Sequence, residues 1–154
     1  TESADKLPAI SKYYDYDEGA PGKSAQSNGI TCIYRYAEVL LMYAEASTRA
    51  TNSVNQDALN AIQEVQKRAG YQNRQIELTT TTEPAAFLTA VSNERGWEFF
   101  AEMKRWFELV RLEKVKEVRA EEWDASTFNT NHHYYFPVPY QQVDLAGWTN
   151  NAGY

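Results

Sequence analysis

The clearest pattern of apolar and polar positions in this chain lies between Ile33 and Ser47. Ile33, Ala37, Leu40, Leu41 and Ala44 recur at steps of three and four residues, the period of an amphipathic helix. This predicts a first helix from about Ile33 to Arg49. Alanines among larger side chains point to close contact with a second helix, since a small side chain lets another backbone approach. The polar stretch TNSVN follows as a short turn, and Ser53 with Gln56 fits a capping box. A second helix then runs to Ala69 with Ala58, Leu59, Ile62, Val65 and Ala69 on one face. Lys67 and Arg68 suit the negative end of its dipole, and Gly70 suits the left-handed residue that ends it. From Thr31 to Ala69 there is neither Gly nor Pro, so two helices joined by a short turn form an antiparallel hairpin.

Residues 71–83 read as a connector ending in four threonines, 79–82, and Pro84 suits a first helical turn. A helical pattern continues from there, with Phe99, Met103, Trp106, Phe107 and Val110 as an apolar stripe. The run is long for a globular helix and contains Gly96, which costs about 1 kcal/mol relative to Ala. A bend or break near 101–104 is therefore expected. Helical periodicity stops near Arg119, and the tail beyond it carries eight aromatics with Pro137 and Pro139 among them. These rings are expected to lie buried as the tail wraps across the helices.

The leader, 1–30, is rich in Pro, Gly and small polar residues around the segment KYYDYDEG. The resulting layout is an irregular leader (1–30), a first helix pair (31–70), a connector (71–83), a second helix pair (84–119) and a wrapping tail (120–154). The expected fold is all-α, built of tetratricopeptide-like helical hairpins with long irregular aromatic-rich N- and C-terminal segments. Hairpins of roughly 34 residues with small residues at the crossing carry that repeat's signature.

Composition narrows the function. The 154 residues fit one domain or a fragment of a larger one, and the net charge of −6 argues against general nucleic-acid binding, which needs a basic face. No apolar run approaches the roughly 20 residues that span a bilayer. Cys32 is the single cysteine, which excludes intramolecular disulfides and a thiolate zinc cluster, and it reads as a buried thiol. The start of the sequence has neither the basic nor the apolar region of a signal peptide.

Catalytic signatures are missing. Glu94, Glu98 and Glu102 fall at four-residue steps and would share a helix face, where crowded carboxylates can supply an acid/base pair. Interspersed Arg95, Lys104, Arg105 and Arg111 favour ion pairing instead. Arg35, Glu38, Glu45, Glu94, Arg95, Glu98 and Arg105 are accordingly read as scaffold ion-pair residues. His132 and His133 are adjacent and would point to opposite sides of an extended segment, so they do not make a metal site. No catalytic, cofactor or metal residues are assigned. The remaining chemistry is aromatic: Tyr and Trp beside Asp, Asn and Gln suit sugars, a ring stacking on the C–H face of a pyranose. Tyr13, Tyr14, Tyr16, Trp123, His132 and Trp148 are the glycan-binding candidates.

Four motifs in order carry a resemblance: RYAEVLLMYAEA (Arg35–Ala46), NERGWEFFAEMKRWFELVR (Asn93–Arg111), YYFPVP (Tyr134–Pro139) and NNAGY (Asn150–Tyr154). Together they resemble the C-terminal region of the SusD/RagB family, surface nutrient-binding lipoproteins of Bacteroidetes. Departures are Gly96 in place of an arginine, Met103 in place of a glycine and Ala152 in place of a proline. The resemblance implies a non-enzymatic binder on the outer-membrane surface, held by an N-terminal lipid that this chain lacks. It implies capture of an oligosaccharide or peptide for a TonB-dependent SusC-like transporter. It also implies that the helix pairs are mostly scaffold and that this chain is a C-terminal piece of a longer receptor. The alternatives are a stand-alone tetratricopeptide-like protein-interaction module and a glycoside hydrolase using Glu94 and Glu98.

Overall fold

The computed structural model describes Lys12 and residues 32–70, 78–118 and 134–154. The described residues form helices and irregular segments with no strand, an all-α fold. Most of the expected leader, Thr31, part of the connector, Arg119 and residues 120–133 of the tail lie outside them. The chain divides into two compact units, Thr1–Met103 and Lys104–Tyr154.

In the first unit, α1 (Tyr36–Thr51) and α2 (Gln56–Arg68) form the expected hairpin. α3 (Pro84–Glu98) packs mainly on α1 and more lightly on α2. Leu41 and Ala44 of α1 meet Ala58, Leu59, Ala61, Ile62 and Val65 of α2, with Phe87 and Val91 of α3 closing the core. The alanines stand where α1 and α2 cross and let their backbones approach. Phe87 is fully buried, and its truncation to Ala costs about 3–5 kcal/mol by loss of transfer energy plus cavity formation.

Local chemistry sets the helix ends, not always as the sequence suggested. α1 begins at Tyr36, three residues later than expected, and Ile33 is 75% exposed outside the helix. Its start is fixed by Arg35, whose extended backbone (φ −128°, ψ 154°) precedes the first turn. Asn52 ends α1 in the left-handed region (φ 48°), which a short polar side chain tolerates. The cap of α2 is Asn55, whose Oδ1 accepts from the Ala58 amide at 2.7 Å. Ser53 and Gln56 form no capping box: the serine hydroxyl donates to Thr51 Oγ1 and the glutamine amide to Asn60. α2 begins at Gln56, two residues later than a box at Ser53 requires, so Asn55 takes the role. Gly70 follows α2 with φ +82°. Pro84 opens α3, and the Glu83 carboxylate accepts from the amides of Ala85 and Ala86 at 3.2 and 2.7 Å.

The expected break after α3 is present as a turn over residues 99–104. It dissolves the continuous apolar stripe. Phe99 is buried at 3%, whereas Met103 and Phe107 are exposed, because the turn takes them off a common face. Ala101 and Met103 both adopt positive φ, 65° and 58°.

The second unit holds α4 (Arg105–Arg111), the single turn α5 (Val115–Val118) and α6 (Tyr140–Ala146). Leu109 and Val115 form a small core with Trp106, Val110 and Tyr134. In the tail, polar clasps replace the expected burial of rings. The Val138 amide donates to Asn150 Oδ1 at 2.8 Å, Asn151 Nδ2 to the Phe136 carbonyl at 2.6 Å, and the Tyr154 hydroxyl to the Tyr135 carbonyl at 3.1 Å. Pro137 and Pro139 keep this segment extended, so its carbonyls and amides are open to the asparagines. Tyr135, Phe136, Tyr140, Trp148 and Tyr154 stay exposed. Cys32, expected to be buried, is also exposed, since it precedes α1 on an irregular segment.

Met103 combines a left-handed backbone with 88% exposure, so its side chain contributes strain without packing. Met103→Gly is expected to raise stability by about 1 kcal/mol, and Met103→Ala to leave it nearly unchanged because the Cβ remains. Urea unfolding of the two variants checks this.

Candidate functional site

Charge is concentrated inside the first unit. Because Arg35 precedes the first turn of α1 and makes no side-chain cap, its side chain is free to reach the end of α3. Its Nη1 donates to Glu98 Oε1 at 2.8 Å. Its Nε and Nη2 grip both oxygens of Glu102 at 3.1 and 2.8 Å. Nη2 also reaches the Glu98 carbonyl at 3.1 Å, one of the acceptors left open at a helix C-terminus. A planar fork is needed for this two-pronged grip, and an ammonium does not reproduce it.

Other cations complete the cluster. Lys12 Nζ bonds Glu102 Oε1 at 2.5 Å and the Glu98 carbonyl at 2.6 Å. Arg68, in the last turn of α2, pairs with the second oxygen of Glu98. Glu98 is thus held from the start of α1 and the end of α2 together. The Phe99 ring lies beneath two guanidiniums, with Arg35 Cζ 5.0 Å and Arg95 Cζ 5.3 Å from its centroid.

Deeper along the α1–α3 contact, Arg95 Nη2 stands 3.8 Å from Glu38 Oε1, both side chains buried. Beside it the buried Glu94 accepts from Gln66 Nε2 at 3.2 Å. Gln66 is itself fixed by Thr79, whose hydroxyl accepts from the same nitrogen at 3.0 Å and whose amide donates to Gln66 Oε1 at 3.0 Å. Gln63 Nε2 adds a bond to the Thr79 carbonyl at 2.8 Å. The threonine run therefore seats one residue of the connector on α2.

These surroundings split the carboxylates electrostatically. Burial pushes the Glu94 carboxyl above its ordinary range and the Glu98 charge adds to this, while the Gln66 hydrogen bond works the other way. Burial also disfavours ionised Glu102, but the hydrogen bonds and charges of Arg35 and Lys12 outweigh it and hold that carboxyl below the ordinary range. The Glu102 hydrogen bond, aided by Glu98, raises Arg35.

The structure brings together Arg35, Glu38, Glu94, Arg95 and Glu98 of the sequence-derived set. Glu45 pairs locally with Arg49 at 2.8 Å, and Arg105 lies in the second unit with Glu108 at 3.1 Å. Glu102 does not share a helix face with Glu94 and Glu98, because α3 ends at Glu98; Arg35 gathers it back. Lys12, Arg68, Gln66 and Thr79 were not assigned from sequence. Their partners lie 13 to 90 residues away, and no local spacing marks them.

Of the glycan candidates, Trp148 is exposed in the second unit. Tyr13, Tyr14, Tyr16, Trp123 and His132 lie outside the described residues. A cleft of about 230 Å³ opens beside the cluster, lined by Arg35, Tyr36, Ala37, Leu40, Glu64, Val65 and Arg68. Among the described residues no group of three or more His, Cys, Asp or Glu side chains could hold a metal ion. No helix among them is long and apolar enough to cross a membrane.

A helical hairpin with a third helix locked to it by arginine–glutamate pairs makes a helical scaffold. The chain belongs to the SusD family, whose model matches residues 1–154. A SusD-like protein of Formosa agariphila is 27% identical over 144 residues, covering 90% of this chain and 26% of the relative. A second from the same organism is 28% identical over 156 residues, covering 96% and 30%. The crystal structure of a SusD homolog from Bacteroides thetaiotaomicron superposes with a TM-score of 0.65 at 29% identity, over 79% of this chain and 26% of that one. That of a SusD superfamily protein from Parabacteroides distasonis gives 0.66 at 29% identity, over 79% and 27%. The chain thus spans 26–30% of the length of these curated relatives.

Replacing Arg35 by Lys keeps the charge and removes the fork. Arg35→Lys is expected to lose about 1–3 kcal/mol of stability, read as a lower urea midpoint at unchanged slope.

The two shifted carboxylates act on stability with opposite sign. The Glu102 contribution is complete above its unfolded-chain value near pH 4.3 and is lost as pH falls through its lower folded value. That of Glu94 is complete below about pH 4.3 and is lost as pH rises through its raised folded value. Unfolding measured across pH is expected to show a shallower acid limb in Glu102→Gln. Glu94→Gln is expected to retain more of its acid-side stability as pH rises to neutrality.

Proposed function

We propose that this chain is the scaffold portion of a surface receptor that captures oligosaccharides and hands them to a TonB-dependent SusC-like transporter in the outer membrane. The receptor would be tethered there by a lipid at the N-terminus of the full-length parent. The observation that carries the reading is family membership over the whole chain, together with what the buried carboxylates do. Glu98 and Glu102 direct their oxygens at Arg35, Arg68 and Lys12, and Glu94 engages Gln66. Carboxylates engaged in this way hold helices together; an acid/base pair needs one group free to exchange a proton with substrate.

On this reading Tyr13, Tyr14, Tyr16, Trp123, His132 and Trp148 are the candidate ligand contacts, the rings stacking on pyranose faces and the imidazole bonding hydroxyls. Arg35, Glu38, Glu45, Glu94, Arg95, Glu98 and Arg105 are scaffold residues. The layout of leader, first helix pair, connector, second helix pair and tail belongs to the same proposal. The exposed Trp148, on a segment anchored by asparagine clasps, supports an aromatic contact presented on a fixed backbone.

Isothermal titration of the full-length parent against a glycan panel, with chromatography of the sugars afterwards, tests this. Saturable binding with intact sugars is expected, weakened in Trp148→Ala. Hydrolysed product, or no binding across the panel, overturns it.

A further inference from the structure

The second unit keeps its charges and its open rings on different stretches of chain. Residues 104–118 carry eight Asp, Glu, Lys and Arg side chains. Residues 134–154 carry one, Asp144, which accepts a hydrogen bond from the Tyr140 hydroxyl one helical turn away. Over the same stretch Tyr135, Phe136, Tyr140, Trp148 and Tyr154 are exposed. Trp148 is fixed from both sides. Gly147 ends α6 with φ +67°, which turns the Gly147 and Trp148 amides onto the Gln142 carbonyl, the second at 3.3 Å. Two and three residues further on, Asn150 and Asn151 clasp Val138 and Phe136. The indole is left 58% exposed on a backbone that binding does not have to order.

We propose that Trp148 is the contact for an uncharged glycan, a neutral hexose chain stacked on the indole, and that this surface excludes uronate and sulfated sugars. The inference rests on the glycan-capture reading above and narrows it to a substrate class. An anionic sugar is gripped by a guanidinium or an ammonium that pairs with its carboxylate or sulfate, or through a metal ion shared among several carboxylates. The tail supplies neither. No Lys, Arg or His side chain lies between Tyr134 and Tyr154, and the one carboxylate, Asp144, repels an anion. A neutral sugar needs no such partner: its C–H face covers the ring, and its hydroxyls bond to amides and hydroxyls. Gln141, Gln142 and Thr149, all exposed, stand among the rings in sequence and can supply those groups. Burying them under an apolar helix instead strips two amides and a hydroxyl of water, which favours a sugar as the occupant. Gly147 is then a positioning residue, acting through the backbone that carries Trp148.

Isothermal titration of the full-length parent against matched pairs tests it: dextran and dextran sulfate, mannan and mannuronan, galactan and galacturonan. A neutral member is expected to bind at least about tenfold more tightly than its anionic counterpart. Its affinity is expected to stay nearly constant from low to high salt, since no ion pair is there to be screened. Trp148→Ala is expected to weaken binding about tenfold or more, and Trp148→Phe, which keeps a ring, to weaken it less. Gly147→Val is expected to weaken it as well, because a β-branched residue resists left-handed backbone, whereas Gly147→Asn retains it. Thermal melts of each variant confirm that it is folded. Neutral-glycan binding that Trp148→Ala leaves unmoved, as when another part of the parent covers the indole, overturns the inference while glycan capture stands. Trp148-dependent binding of an anionic member as tight as that of its neutral counterpart does the same. Absence of binding by every member removes glycan capture and the inference with it.

Discussion

The first unit depends on the reach of one side chain. Arg35 stands just before α1 and grips the residues that end α3, so a single guanidinium fixes where one helix begins relative to where another stops. The grip has energetic weight because its acceptors are buried or nearly so and already committed to the fold. Removing Arg35 leaves Glu98 to Arg68 alone and Glu102 to Lys12 alone, so each buried carboxylate loses part of its compensation. Arg68 and Lys12 then bring α2 and a point in the leader to the same two glutamates. Three stretches distant in sequence converge on Glu98 and Glu102.

This arrangement explains an otherwise odd helix. α1 turns Glu38 toward Arg95 of α3 and buries Glu45 beside Arg49, with its tyrosines and methionine outward. Once charges are used for the inner contact, apolar residues are left over on the side facing away from it. The chain belongs to the SusD family and spans only a fraction of its relatives' length. The turn after α3 belongs to the same economy. Ala101 and Met103 accept left-handed backbone so that Glu102 can fold back under Arg35.

Much of the fold is local and could be read from residue order. The period of Ala37, Leu40, Leu41 and Ala44, the absence of Gly and Pro from Thr31 to Ala69, Gly70 and Pro84 each act over a turn or two of backbone, and the helices follow them. Where local signals competed, the reading slipped. Ser53 and Asn55 are both good caps, and only the path of the turn selects Asn55. Ile33 continues the apolar period, yet Arg35 ends the helical backbone before it. The aromatic tail and Cys32 were expected to be buried on composition alone. Asparagine side chains instead satisfy the proline-bent tail through its backbone, leaving Tyr135, Phe136, Tyr140, Trp148 and Tyr154 exposed.

The sequence by itself determined that the chain is helical, that its first two helices pair, and, through four ordered motifs, which family it resembles. It also marked Arg35, Glu38, Glu45, Glu94, Arg95, Glu98 and Arg105 as ion-pair residues. The tertiary structure decided how those charges are used. Lys12 and Arg68 reach the same glutamates across 90 and 30 residues, and Gln66 meets Glu94 across 28. Pairing over such distances has no period in sequence, because it depends on where whole helices end rather than on what lies one turn away. For the same reason only the folded chain shows that α1 buries Glu38 and Glu45 and exposes apolar residues.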